Sequence, residues 1–133
     1  MELENQVCSL KLAKRLKELE VKQESLWYWQ KSVCIKNHHE LLSVNCFRDK
    51  NNIYKDNRNY SAFTVAELGE MLPLESHYIR TELHRNSMSD TYKYLLHICG
   101  KDFYADTEAN ARAKMLIYLL ENNLIKKSAN RGE

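Results

Sequence analysis

The residues best suited to chemistry by type lie between positions 34 and 46, where the sequence places Cys34, His38, His39 and Cys46. Thiolates and imidazoles are ligands that Zn²⁺ takes in tetrahedral protein sites. Their spacing matches neither Cys-x2-Cys nor His-x3-His, so the pattern supports zinc only as a weak metal hypothesis. The alternative interpretation places two exposed histidines beside a buried Cys34.

Signatures of catalysis are absent from the sequence. It contains no Gly-rich phosphate loop and no Gly-x-Ser-x-Gly nucleophile motif. His97 and Cys99 would share one face of a strand, which permits a Cys/His nucleophile pair, but a buried strand cysteine explains the same pattern. We therefore predict a protein that is not an enzyme, with no catalytic residue and no cofactor.

DNA recognition is a second chemical hypothesis. Residues 64–83 have the pattern of a helix-turn-helix, and residues 92–104 would form its wing. The early residues of the second helix would meet base edges in the major groove, and here these are Ser76, His77 and Arg80. The net charge of +2 gives only a weak attractive field. Residues 78–83 also alternate as a strand would, so the winged helix-turn-helix module is the alternative function.

An aromatic run at Trp27, Tyr28 and Trp29 precedes Lys31. With the basic residues of the segment 11–17, it suggests a stacking platform for single-stranded nucleic acid. Alternate aromatic residues on a strand are commonly buried, however, and core packing is the favoured interpretation.

Three helices and several strands must position these residues. Leucines at helical spacing predict a helix over 9–21, and the capping-box pattern of Thr64 and Glu67 predicts a second over 64–72, ended by Pro73. Alternation at 26–35 predicts a strand or hairpin, and the polar segment 45–59 a loop. Residues 78–84 and 92–99, joined by turn residues 86–90, predict a hairpin that continues into Phe103 and Tyr104.

The segment 107–124 is the clearest predicted element, an amphipathic helix over the core. Projection at 3.6 residues per turn places one set of apolar residues on a single arc: Ala109, Ala113, Leu116, Ile117, Leu119, Leu120 and Leu124. Met115, Tyr118 and Ile125 fall outside this arc. We therefore predict that these three form a strip that faces a protein partner.

The composition favours one α+β domain. The chain has 133 residues, 44% of them hydrophobic, with three Gly and one Pro, too few for the tight turns of an all-β fold. We predict a small, mainly antiparallel sheet packed by about three helices over residues 1–125, and a frayed tail over 126–133. The absence of an apolar span or basic leader predicts a cytoplasmic protein without membrane contact.

Four stretches carry a resemblance to known sequences: AFTVAELGEMLP at 62–73, ADTEANARAKMLIYLLENNL at 105–124, CSLKLAKRLKEL at 8–19 and VKQESLWYW at 21–29. They resemble short, uncharacterised proteins of bacteriophages and prophage-like elements, although Glu20 stands where the resemblance would place Gly. Segment 33–59 takes no part in it. The resemblance implies an intracellular accessory protein of a mobile element and brings no activity, cofactor or catalytic residue.

The function predicted from these observations is that of a non-enzymatic accessory or binding protein that acts through protein-protein contacts. Its protein partner is left open, and a homodimer is one arrangement that the sequence allows. Nucleic acid is the less favoured partner, because the charge balance of twenty basic against eighteen acidic residues gives little attraction to phosphate.

Overall fold

The computed structural model describes residues 2–72, 79–85, 90–96 and 101–125. Its helices are α1 (Leu10–Glu18), α2 (Val65–Met71) and α3 (Glu108–Glu121). Its strands are β1 (Trp27–Lys31), β2 (His39–Ser43), β3 (Asn59–Ser61), β4 (Ile79–Arg85), β5 (Asp90–Leu96) and β6 (Lys101–Ala105). Short 3-10 helices occupy Leu3–Asn5, Val44–Cys46 and Ile53–Lys55. The predicted α+β class is therefore confirmed.

The strands form two antiparallel sheets of three strands each. The N-terminal sheet has the order β2-β1-β3, and the C-terminal sheet has the order β4-β5-β6. The predicted hairpin is present as β4 and β5, in a register that pairs Ile79 with Leu96 and Arg85 with Asp90. The sequence predicted one sheet, whereas β2 and β3 pair with β1 as a separate unit. Within the described ranges, no helix is both long and apolar enough to cross a membrane.

Helix α3 lies between two layers. On one side it contacts α1 and α2, and on the other it contacts the C-terminal sheet, mainly β5 and β6. Between positions 109 and 120, only Lys114 is exposed. The buried residues of α3 are Ala109, Ala111, Ala113, Met115, Leu116, Ile117, Leu119 and Leu120. These residues point in several directions around the helix, so α3 is a central core helix rather than one with a single buried stripe.

The predicted partner-facing strip is wrong at Met115, whose side chain has 0% exposure. The projection assumed one buried face, but the neighbours of α3 cover the opposite side as well. Leu124 shows the reverse error: it was placed on the buried arc and is 51% exposed, because α3 ends at Glu121 and the chain turns at Asn123, where φ is 56°. Ile125 is half-buried and packs against the core. The tail 126–133 lies outside the described residues.

Hydrogen bonds from capping residues define the starts of α2 and α3. The Thr64 hydroxyl accepts from the Glu67 amide at 3.2 Å, and a Glu67 carboxylate oxygen accepts from the Thr64 amide at 2.9 Å, which completes the predicted capping box. Thr107 caps α3 by accepting from the Asn110 amide at 3.2 Å. Helix α1 is followed by Glu20 at a φ of 66°, a left-handed conformation that usually selects glycine.

The two-sided burial of α3 predicts a large effect at Met115. We expect Met115→Ala to lower the free energy of unfolding by about 2–5 kcal/mol, because it removes buried atoms and leaves a cavity. The matched substitution Met115→Leu keeps most of the volume and should cost less than about 1.5 kcal/mol. Urea denaturation followed by circular dichroism measures both values. Equal stability of Met115→Ala and the unchanged protein would place this side chain on the surface.

Candidate partner-binding groove

An open groove separates α1 from α3, and a residue of β6 completes its floor. It encloses about 520 Å³. Three elements that are distant in sequence supply its lining, which consists of Lys11, Leu12, Lys14, Arg15, Glu18, Phe103, Lys114, Ile117, Tyr118 and Glu121. We call this surface the α1-α3 groove.

The floor of the α1-α3 groove is apolar. In α1, Leu16 points into the core and is fully buried, while Leu12, one turn earlier, is only half-buried at the edge. Ile117 and Tyr118 approach from α3, and the Tyr118 ring packs against the Phe103 ring with 5.4 Å between centroids. The groove is thus a continuation of the core that the protein leaves partly open to solvent.

One end of the groove is closed by an ion pair. Arg15 donates from Nε and Nη2 to Oε2 of Glu121, at 3.0 and 2.8 Å, and from Nη1 to Glu18 at 3.4 Å. The hydrogen bond to Glu121 is the main reason that the pKa of Arg15 is raised. All three side chains are exposed to solvent, so the pair adds little stability and serves chiefly to join the ends of α1 and α3.

The other end of the groove is positively charged. Lys11 and Lys14 project from α1, and the Lys114 ammonium donates to the Tyr104 carbonyl at 2.6 Å. In the part of the chain that the structure describes, no carboxylate lies within 4.0 Å of these three ammonium groups. The groove therefore combines an apolar floor with a local surplus of positive charge at one end.

Sequence reasoning found only part of this site. Of the three predicted partner-facing residues, Tyr118 lines the groove, Ile125 does not, and Met115 is buried in the core. The sequence did not identify Leu12 and Phe103 as groove residues. A leucine in a helix and an aromatic residue in a strand are just as typical of the buried core as of a groove. Only their placement at the edge of the α1 and α3 packing distinguishes them.

The zinc hypothesis gains no support from the geometry. Cys34 and His38 lie in the exposed turn before β2, and Cys46 follows the far end of that strand. A strand advances about 3.3 Å per residue, so β2 holds the two ends of the candidate set apart. Among the described residues, no three His, Cys, Asp or Glu side chains are grouped to hold a metal ion. The interpretation of Cys34 as buried is also wrong, since this thiol is exposed.

The predicted recognition helix is wrong where the structure describes it. Arg80 lies in β4 and pairs with Leu95 of β5, because the alternating residues of this segment form a ladder with the next strand. Ser76 and His77 lie outside the described residues. A strand at this position cannot present Arg80 from a helix in the major groove, so the helix-turn-helix hypothesis loses its second helix.

The aromatic residues of β1 are engaged in packing. Tyr28 is buried, stacks edge-on against Phe47 with 5.4 Å between centroids, and donates its hydroxyl to the Gln23 carbonyl at 3.1 Å. The indole N–H of Trp29, on the other face of the strand, donates to the Cys8 carbonyl at 3.0 Å. The Trp29 bond joins the N-terminal sheet to the segment before α1, and the Tyr28 bond joins it to the segment after α1. Because both rings are engaged in this packing, stacking on nucleic acid bases is a less suitable role.

The cysteines differ sharply in their surroundings. Burial raises the pKa of the Cys8 thiol to about 12, so this thiol is almost entirely protonated near neutral pH. Cys34 and Cys46 are exposed. His97 and Cys99, the hypothetical nucleophile pair, lie outside the described residues.

Alkylation should separate these thiols. We expect iodoacetamide to modify Cys34 and Cys46 readily in the folded protein and to leave Cys8 unmodified. The Cys8 sulfur is buried away from the reagent, and its raised pKa keeps it in the unreactive thiol form. Peptide mapping by mass spectrometry measures the modified fraction at each position. A control in urea should show Cys8 reacting like the others. Rapid modification of Cys8 in the folded state would contradict its burial.

The histidine at the start of β2 should make stability depend on pH. Burial, followed by the positive charges of Lys14, Lys31 and His38, lowers the pKa of His39. The unfolded chain therefore binds this proton more readily, and His39 stabilises the fold above its ordinary pKa of about 6.5 and progressively less as pH falls through the folded value. His39→Gln should reduce the loss of stability between neutral and acidic pH, as measured by urea denaturation. If the free energy of unfolding depended on pH in the same way in His39→Gln as in the unchanged protein, the lowered pKa of His39 would be contradicted.

No protein-family model, curated protein sequence or solved structure matches the chain. The resemblance of the four stretches at 8–19, 21–29, 62–73 and 105–124 to phage and prophage proteins thus stays a prediction. The geometry of the α1-α3 groove and the charges around it are therefore the features of this chain that bear on its function.

Proposed function

We propose that the protein is a non-enzymatic binding protein whose α1-α3 groove receives a segment of a partner protein. The observation that carries the proposal is the half-open apolar floor of Leu12, Phe103 and Tyr118 beside a positively charged end. A role as an accessory protein of a phage or related mobile element agrees with the resemblance of the four stretches described above.

The floor suits a large apolar side chain of the partner. Burial of one leucine or phenylalanine side chain contributes about 1.5–3 kcal/mol, enough to anchor a short segment but not to hold it alone. Tyr118 is half-buried at this floor, and aromatic residues are frequent at the energetic centres of interfaces.

The charges predict the chemistry of the rest of the segment. Lys11, Lys14 and Lys114 lie at one end without a carboxylate partner among the described side chains, so acidic residues next to the apolar anchor would complement them. At the other end, Arg15 already holds Glu18 and Glu121. Because only one end of the groove carries positive charges without carboxylate partners, the bound segment should lie with its acidic residues at that end. Charged residues at the rim would act mainly on the rate of association.

Charge reversal in the groove tests the proposal. We expect Lys11→Glu to reduce capture of the partner from host lysate, because it replaces an attractive charge with a repulsive one at the rim and so slows association. The matched control is Lys50→Glu, which makes the same change at an exposed site in the loop after β2. Quantitative mass spectrometry of proteins retained by the unchanged protein and by both variants provides the measurement. Circular dichroism confirms that the variants remain folded.

The pattern across the variants decides the result. A protein that is retained equally by the unchanged chain and by Lys50→Glu, but in a smaller amount by Lys11→Glu, supports the groove as its binding site. Equal retention by all three proteins contradicts the proposal. Light scattering of the purified chain provides a further check, since a dimer disrupted by Lys11→Glu would make the occupant of the groove a second copy rather than a different protein.

A further inference from the structure

A second charged surface lies on the N-terminal sheet. Lys31 of β1 and His39 of β2 are direct cross-strand partners, so their side chains share one face of the sheet. Trp29 lies two residues before Lys31, so both side chains are on this face, and so is Tyr60, the cross-strand partner of Trp29. Lys14 of α1 reaches the same face, since its ammonium lies 5.7 Å from the centre of the Tyr60 ring. We call Lys14, Lys31 and His39 the sheet-face cluster. Lys14 also borders the α1-α3 groove.

The sheet-face cluster is electrostatically unbalanced. Both lysines repel a proton on His39, and no carboxylate of the described chain lies within 4.0 Å of either ammonium group. Glu40 follows His39 in the strand and therefore points to the opposite face, where it lies 3.9 Å from His38. Like charges held together in this way weaken the fold, and a bound anion would remove the repulsion.

Two neighbouring cations are already committed and do not belong to the cluster. The Lys17 ammonium lies 5.0 Å from the Tyr60 ring and donates to the Asp56 and Asn59 carbonyls, at 3.3 and 2.8 Å. The Arg58 guanidinium is paired with the Asp56 carboxylate at 2.8 Å. These bonds hold the loop before β3 beside α1. They leave Lys14, Lys31 and His39 as the groups with donors to offer a ligand.

We propose that the sheet-face cluster binds a phosphate group of a ligand. The two permanent positive charges of Lys14 and Lys31 match the two negative charges of a phosphate dianion, and His39 adds a third positive charge when it gains a proton. The two ammonium groups and the imidazolium supply several N–H donors to its oxygens. Two sources share this chemistry, namely a small polyphosphate and the backbone of a nucleic acid strand. This site does not depend on the α1-α3 groove having a partner.

Binding at this cluster has to be linked to protonation. An anion beside His39 favours the imidazolium, so the pKa of His39 should rise when the ligand binds, and affinity should increase as the pH falls toward the ordinary pKa of about 6.5. A purely structural role of Lys31 and His39 would produce neither effect. Affinity should also fall as the salt concentration rises, because the contacts are charged.

Calorimetric titration at low ionic strength, at a pH below the ordinary histidine pKa of about 6.5, tests the proposal with two probes, tripolyphosphate and a single-stranded oligonucleotide. We expect Lys31→Gln and His39→Gln each to weaken binding of at least one probe by about tenfold, an effect that corresponds to one favourable charged contact. The matched control Lys50→Gln removes the same charge from an exposed loop and should bind like the unchanged protein. NMR of the imidazole signals of His39 should show the upward pKa shift on addition of the probe.

The probes distinguish the two sources. Tripolyphosphate binding that is weakened in both variants supports a small phosphate ligand. Much tighter binding of the oligonucleotide, weakened in the same two variants, supports a strand backbone. Three results would each overturn the proposal. These are no binding of either probe at low salt, equal weakening by Lys50→Gln, and binding of a glutamate-rich peptide as tight as that of tripolyphosphate.

Discussion

Burial of α3 from two sides is the constraint on which the rest of the structure depends. Its first half carries the small residues Ala109, Ala111 and Ala113, which let neighbouring elements approach closely, and its second half carries larger residues such as Met115 and Leu116. At the α2 side, Gly69 has no side chain, and a Cβ there would lie 2.5 Å from the Arg112 guanidinium. Arg112 donates to the Val65 carbonyl at 3.1 Å, which links α3 to α2, and to Glu108 within α3 at 3.0 Å.

The α1-α3 groove follows from the way α1 is attached to this central helix. Contacts at its N-terminal side fix the start of α1, where the Ser9 amide donates to the Asn110 side chain at 2.7 Å and the Cys8 amide to the Phe63 carbonyl at 2.9 Å. The Arg15–Glu121 pair joins the other ends. Between these attachments, Leu16 enters the core while Leu12 stays at its edge. The partner surface that we propose is thus an unfilled part of the same packing.

Local signals in the sequence predict the elements better than their assembly. The capping box at Thr64, the start of α3 at Thr107 and the β4-β5 hairpin all depend on residues close in sequence, and all are present. Two-sided burial depends on which elements arrive on each side, and a helical projection contains no such information, so Met115 was misplaced. The separation of the strands into two sheets is likewise a property of long-range pairing. The sheet-face cluster joins α1, β1 and β2, and spacing along the chain could not reveal it.

Native-state hydrogen exchange tests the central position of α3 most directly. Amides buried on all sides of a core helix exchange only when the whole domain unfolds, whereas those of a peripheral helix exchange through smaller openings. We predict that the amides of residues 112–120 exchange with the free energy of global unfolding, while those of α1 exchange with a lower free energy. Exchange of α3 amides through an opening that requires less free energy than that of α1 would contradict it.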